Sequence, residues 1–584
     1  MALKLDPVRS GRYTYLYIRR SYRDKGKGSS RTPVEKLGRL DRLAEQYEDP
    51  VAHFQAVVDE MNRAEQDVEN RRRLTVSVDL DEAISPEDGL MNIGYAAILR
   101  IYSELGLQAF FNNRQRGKGF KYNAGAIMLL LVCERILNPG SKKRAFENRG
   151  MYFERFDFGL HDVYRSLRFF AELETDTQLQ IDRRIQGITG GRNTEMVYYD
   201  VTNYYFEIDD EDEHRRKGVS KEHRPNPIIQ MGLVMDSDGL PVSYRLFDGN
   251  TNDVMTLRET VHDLKVKNGY GRVIVVADKG INSADNLYYL TTTGGRTGDG
   301  YVMSLSVRGA NRRFKEYVLD GEGYRTIWRD GPDGVPEAEF MLKSRLEIRE
   351  VSVTGVSGKK IKKQLHEKQV IIWSRKYAER AKAERAAAIA KAHEMITDPS
   401  KYSRATHYGA TRYVDNISVD RKTGELLVNA GRQPVFNHGL LAEEEKYDGY
   451  YAVVTSEQDR DDQWIMDTYR GLWEIEETFM ISKHVVETRP VYVSRWECIR
   501  AHFLSCFISM VVIRLLERKL GDGHTTEQIL DCLKKMRCAR MTDNLYMFFH
   551  SSDITKALGE ALDVDFSRKH LRLSEIKHII AAMR

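Results

Sequence analysis

The stretch "VYYDVTNYYFE" (197–207) decides how the rest of the chain is read. Val197, Tyr198, Tyr199, Val201, Thr202, Tyr204, Tyr205 and Phe206 are β-branched or aromatic, the side chains a pleated strand favours. Asp200 stands in their midst. A lone ionised carboxylate in such a strand is costly to bury, so something must compensate it: a cation, hydrogen-bond donors or a metal.

The segments that follow set the fold class. "IIQMGLVM" (228–235), "DSDG" (236–239) and "LPVSYRLF" (240–247) predict a hairpin. "DVMTLRETVHDLKV" (253–266) predicts a helix, "RVIVVAD" (272–278) a buried strand ending in Asp278, "SADNLYYLTTT" (283–293) a helix and "GYVMSLSV" (300–307) a strand. The order β, hairpin, α, β, α, β implies an α/β sheet with parallel and antiparallel pairs. Residues 308–455 break that rhythm with alternating pieces such as "KQVIIWS" (368–374) and "GYYAVVTS" (449–456), interrupted by an Ala-rich helix over 376–396. From 461 to about 520 the pattern is helical, and "GDGHTT" leads into a helical tail. Before the strand, 12–40 reads as short strands, 51–73 as a charged helix and 91–190 as mostly helical, with "AGAIMLLLVCERIL" (124–137) a buried helix stopped by "NPGS".

At 584 residues the chain is too long for one core, and about four domains are expected. A formal charge of +4 is uninformative, but residues 1–42 hold 12 Lys/Arg against 4 Asp/Glu. With the basic runs 112–121 and 214–224, that distribution suits a phosphate backbone, although any one run is also an ordinary solvated face. The five cysteines form no CxxC pair, which argues against zinc and for a reducing cytosol. No secretory signal is read at the N-terminus, and "FLSCFISMVVIRLL" (503–516) is too short to span a bilayer, so it is expected to be a core helix.

A third acid belongs with Asp200 and Asp278. In "YRGLWEIEETFMISK" (469–483), Tyr469, Leu472, Trp473, Glu476, Met480 and Lys483 share one helical face. Taken singly, Asp278 could cap the turn "KGINS", Glu476 could pair with Lys483 or Arg470, and Asp200 could accept backbone bonds. Taken together, in this strand order, three carboxylates suit divalent metal and in-line phosphoryl transfer.

On these residues the chain resembles the DDE transposases of bacterial insertion sequences, with an RNase H-like catalytic core. It is similar in particular to a cut-and-paste subgroup whose last acid lies in the pattern Y-x2-R-x3-E-x6-K. Tyr469, Glu476 and Lys483 fall at that spacing, while Leu472 occupies the arginine slot, a departure that Arg470 or Arg489 could offset. "DVTNYYFE", "GVSKEHRPNP" (218–227), "VADKGINSADN" (276–286), "LWEIEETF" (472–479) and "RPVYV" (489–493) also carry the resemblance. The 198-residue gap between Asp278 and Glu476 leaves room for the β-rich insertion domain of that subgroup.

The resemblance implies a basic N-terminal DNA-binding region (1–90), a helical DNA-binding region (91–190), a first part of the RNase H-like core (191–307), a β-rich insertion (308–455), the rest of the core (456–520) and a helical C-terminal region (521–584). It implies Asp200, Asp278 and Glu476 as catalytic ligands of two Mg²⁺ ions, for which Mn²⁺ substitutes. Tyr469, Arg470, Trp473, Lys483, Lys221, His223 and Arg224 are the expected DNA contacts. The implied partners are duplex DNA with terminal inverted repeats, target DNA and a second copy of the chain; the implied location is the bacterial cytoplasm. A DDE nuclease without strand transfer and a silent, domesticated DNA-binding protein are the alternatives.

Overall fold

The computed structural model describes residues 3–24, 28–69, 81, 83, 89–218, 225–292, 298–330, 336–355, 357–398, 409–419, 426–428, 433–542 and 544–584. The chain divides into two units, Met1–Ile84 and Ser85–Arg584.

In the first unit, β1 (Leu3–Ser10), β2 (Tyr13–Asp24) and β3 (Gly28–Arg39) form an antiparallel sheet in that order. Leu16 and Ile18 on β2 are buried, Ile18 against Leu3 and Val58 of the helix Pro50–Glu69. Asn62 fastens that helix to β1 by accepting from Leu3 N at 2.7 Å and donating to Leu3 O at 2.9 Å. The sequence reading lacked β1, whose Pro7 and charges hide it. An edge strand tolerates a proline that a central one does not.

In the second unit, the helix Ala124–Leu137 is buried throughout its length, and Asn123 caps it by accepting from Ala126 N. The strand read from "VYYDVTNYYFE" is β5 (Met196–Tyr205); β4 is the short Met91–Asn92. The hairpin β6 (Ile228–Asp236) and β7 (Pro241–Asp248) follows, then helix Asp253–Val266, β8 (Ile274–Ala277), helix Ala284–Thr292 and β9 (Gly300–Leu305). Beyond them come β10 (Arg325–Asp330), β11 (Pro336–Thr354), β12 (Lys360–Ser374) and the helix Arg375–Thr397. The short pairs β13 (Val414–Asp415) with β16 (Val435–Phe436) and β14 (Ile417–Val419) with β15 (Leu426–Val428) precede β17 (Tyr450–Thr455).

One nine-stranded sheet runs β10-β11-β12-β17-β9-β8-β5-β6-β7. Its centre, β9-β8-β5, is parallel, and every other pair is antiparallel. β8 is buried along its whole length, with Ile274 and Val276 facing one core and Val275 and Ala277 the other. This explains its unbroken apolar sequence, since a parallel strand covered on both faces shows no alternation. Of the strands in 308–455, β10, β11 and β12 continue this sheet through β17, which pairs with β9, while β13–β16 form the two separate pairs.

Two expectations differ from the structure. The tail is not wholly helical: β18 (Arg537–Thr542), β19 (Leu545–Phe548) and β20 (His570–Arg572) form a sheet with β4. Strands of three to six residues are too short to print a period-two pattern. The apolar run 503–516 is the middle of a longer helix, Trp496–Leu520, whose 25 residues could cross a membrane by length; 89% of its most apolar window is buried inside the protein, which makes it the central core helix.

Candidate active site

Register places the first two acids. β5 and β8 pair in parallel as Met196↔Ile274, Val197↔Val275 and Tyr198↔Val276. Continuing two residues brings Asp200 level with Asp278, which follows the C-terminal end of β8. Alternation puts Asp200 on the same face of β5 as Tyr198 and Tyr204, and both tyrosines belong to the core that contains Leu472, Ile475 and Phe479.

The third acid rides on the helix Trp473–Met480, which is fixed at both ends to β5. At its start, Gly471 lies against Tyr198: a Cβ there would sit 2.1 Å from the Tyr198 hydroxyl, which donates to Thr468 O at 3.2 Å. Only glycine allows that approach. At its end, a π-helical turn over Ile481–Val485 carries Ser482, whose hydroxyl bonds Tyr204 Oη at 2.8 Å and Thr488 Oγ1 at 2.9 Å. The single helical face read over 469–483 is therefore interrupted. Helix Asp462–Arg470 ends at Gly471, Leu472 turns into the core, and Trp473, Glu476 and Met480 are exposed.

Asp278 and Glu476 open onto one cavity of about 790 Å³, together with Tyr469, Trp473 and Arg470. Asp278 accepts on Oδ1 from Ser304 Oγ at 2.6 Å and from Tyr469 Oη at 3.2 Å. Ser304 comes from β9, one residue beyond the Ala277↔Met303 pair, and its carbonyl accepts from Asn282 at 2.7 Å. The turn after Asp278 is closed by its backbone, Ile281 N donating to Asp278 O at 3.1 Å, which leaves the carboxylate to other work. Burial pushes the Tyr469 hydroxyl well above its ordinary pKa, and the charges of Asp278 and Glu476 add to the shift. Tyr469 is thus a donor held against an acid, not a proton source.

The remaining candidates spread out. Arg470 pairs with Asp467 at 3.2 Å. The Lys483 ammonium lies 5.8 Å from the centre of the Tyr204 ring, and the Arg489 guanidinium 5.3 Å from that of Tyr205. Lys221, His223 and Arg224 lie outside the described residues. Asp200 is not among the residues lining the cavity, and among the described residues no three His, Cys, Asp or Glu side chains gather closely enough to hold a metal ion. The donors that do line it are carboxylate oxygens, the hard ligands that suit Mg²⁺.

Sequence reasoning missed Ser304 and the basic wall of the cavity, where helix Arg375–Thr397 contributes Lys376, Arg380 and Arg385. Ser304 sits where the strand beside an acid must pass, a signal available once β8 and β9 are paired. The basic wall lies in 308–455, where no motif pointed to it. In the N-terminal unit a second surface emerges: Arg39 stacks over Tyr13 at 3.7 Å, Lys36 over Tyr15 at 4.7 Å and Arg19 over Tyr17 at 5.2 Å. These tyrosines alternate along β2 opposite its buried face.

The transposase DDE domain family model matches residues 206–512, a span that takes in Asp278 and Glu476 and begins just after Asp200. The chain belongs to the DDE transposases, and residues 5–72 match the N-terminal domain of the IS1634 family transposases, which makes it a transposase of an insertion sequence. Membership makes it an enzyme that cleaves or transfers DNA. No curated protein matches the chain. Among solved structures, a piggyBac transposase synaptic complex with hairpin DNA, determined by cryo-EM, is 10% identical, covering 85% of this chain and 86% of that one at a TM-score of 0.31. A Mos1 transposase paired-end complex with the left transposon end is 12% identical, covering 39% and 62% at a TM-score of 0.12. At these scores neither likeness bears on the fold.

Proposed function

We propose that this transposase acts by cut-and-paste: it binds terminal inverted repeats, cleaves at the transposon ends and joins the freed 3′-OH to target DNA. The observation that carries the reading is the cavity shared by Asp278 and Glu476, acids from distant parts of a chain whose residues 206–512 match a transposase domain. The element order from β5 to β9, with the Glu476 helix returning against β5, supports an RNase H-like core built from 191–307 and 456–520 and interrupted by 308–455.

Asp278 and Glu476, with Asp200 from the neighbouring strand, would hold two Mg²⁺ ions. Bound there, the metal would supply Lewis acidity toward the attacking and leaving oxygens of an in-line displacement. The protein's own part is positioning. Ser304 and Tyr469 both bond Oδ1 of Asp278, which orients the carboxylate and leaves Oδ2 for a cation. Trp473, 57% exposed, offers a ring on which a base beside the cut can stack. Arg470 and Lys483 are proposed phosphate contacts, as are Lys221, His223 and Arg224.

The cation-covered tyrosine face of β2 and the basic run 112–121, the end of the helix Leu107–Gln115 and the turn after it, would track the repeats in the regions 1–90 and 91–190. Holding two ends together calls for a homodimer in the synaptic complex. The test is strand transfer. A pre-cleaved end with a free 3′-OH, incubated with supercoiled plasmid and Mg²⁺, should give joined product. A nuclease without transfer activity would nick intact ends and join nothing.

A further inference from the structure

We propose that Arg380 grips a phosphate of the DNA strand being cut, supplying from the region between the two core segments a cation that the Glu476 helix does not. The inference rests on the reading of the cavity as the cleavage site and names one more residue that touches the reacting strand.

The helix Arg375–Thr397 lines the cavity through Lys376, Tyr377, Arg380, Ala381, Glu384 and Arg385, whose spacing of 1, 3, 1, 3 and 1 describes one helical face. The Glu476 helix itself offers Trp473 and Glu476 to the cavity, and the cation just before it, Arg470, ends the preceding helix and is paired with Asp467. Phosphoryl transfer spreads charge over the non-bridging oxygens, and a fixed donor aimed at them is worth most where water is displaced. A guanidinium matches two such oxygens with parallel N–H groups.

Five arginines line the cavity, and their partners separate them. Arg308 and Arg385 both hold Asp448, at 3.0 and 2.5 Å. Arg412 holds Glu444 at 3.1 Å, and Arg470 holds Asp467 at 3.2 Å. Arg380 donates through Nε to Glu384 Oε1 at 2.8 Å, one helical turn on. Among the described residues that is its only hydrogen bond, so both Nη groups, which form one of the two bidentate edges of the fork, are uncommitted. Glu384 acts as the orienting partner. Arg380 and Glu476 line the same cavity.

The side chain is 74% exposed, so truncation should leave the fold intact, checked by an unchanged melting curve. The experiment compares wild type, Arg380→Ala, Arg380→Lys and Arg312→Ala on end-labelled DNA bearing the element's own terminal repeats. Arg312 is exposed, pairs with Glu316 and lies outside the cavity. Arg380→Ala should lower the single-turnover nicking rate at saturating DNA about 100-fold. Without metal, it should make the slope of log binding constant against log salt shallower by about 0.9, the loss of one phosphate contact. Arg380→Lys should recover part of the rate, and Arg312→Ala should nick like wild type. Wild-type nicking and an unchanged slope in Arg380→Ala would overturn the proposal. A wild type that never nicks with any divalent metal would sink the reading of the site instead, and the salt slope alone would then decide whether Arg380 meets a phosphate.

Discussion

Asp182 and Asp236 are buried as deeply as Arg192, the cation they share, whereas Asp278 and Glu476 open onto a cavity. Arg192 binds Asp182 at 2.6 Å and Asp236 at 2.5 Å, and its remaining N–H groups reach Leu240 O and Pro241 O. Tyr270 and Asn268 complete Asp182, and the amides of Asp238 and Leu240 complete Asp236. Every polar group there has a partner inside the protein. Asp278 instead has two neutral hydroxyls on one oxygen, and Glu476 is exposed. The difference teaches how to sort acids in an α/β sheet. A carboxylate closed by arginine and amides holds the fold, and one oriented only by hydroxyls at a strand end is kept for something that arrives from outside.

That contrast can be broken by experiment. Glu476→Gln and Asp200→Asn should each reduce metal-dependent cleavage about 1000-fold or more while leaving the melting temperature near wild type, since the acids are assigned to chemistry and not to packing. Arg192→Met should do the reverse, destabilising the fold by about 3–5 kcal/mol by stranding two buried carboxylates, as read from denaturant unfolding. Gly471→Ala should cost about 1–3 kcal/mol and slow cleavage by displacing the Glu476 helix, and Tyr198→Phe in the same chain should restore part of both. A double-mutant cycle without coupling would refute the contact. Ser304→Ala should slow cleavage about tenfold, with Asp278 less well oriented.

The smallest effect concerns a third kind of buried charge. Burial, with the charge of Arg135 behind it, lowers the Lys142 ammonium from the ordinary 10.5 to about 7. Its Nζ lies 2.5 Å from His502 Nδ1, and His502 Nε2 lies 2.8 Å from Thr488 O. The unfolded chain therefore binds more protons than the folded one between about pH 7 and 10.5. Stability should rise with pH across that window, and Lys142→Met should flatten the rise in a pH series of melting curves.

Much of this was legible from residues alone. β5 announced itself by its aromatic and β-branched run, β8 by its unbroken apolar stretch, and the helix Ala124–Leu137 by its apolar run and the Asn138-Pro139 that stops it. Asp200, Asp278 and Glu476 were named together; Asp278 and Glu476 line one cavity, and Asp200 is not among its lining residues. What stayed hidden depends on contacts distant in sequence. Ser304 acquires its partner through sheet pairing, Leu472 leaves the helical face because Gly471 approaches Tyr198, and Arg380 meets the cavity across a long excursion of chain. The short tail strands carry too few residues to show a period at all.

The most direct test incubates the purified protein with end-labelled DNA carrying the terminal repeats that flank its own gene, with Mg²⁺ or Mn²⁺, beside the Asp278→Asn variant. Metal-dependent nicking at the repeat boundary, lost in the variant while binding to the repeats persists, is the predicted result. Nicking that survives the loss of the Asp278 charge would contradict the assignment of the cavity as the catalytic site.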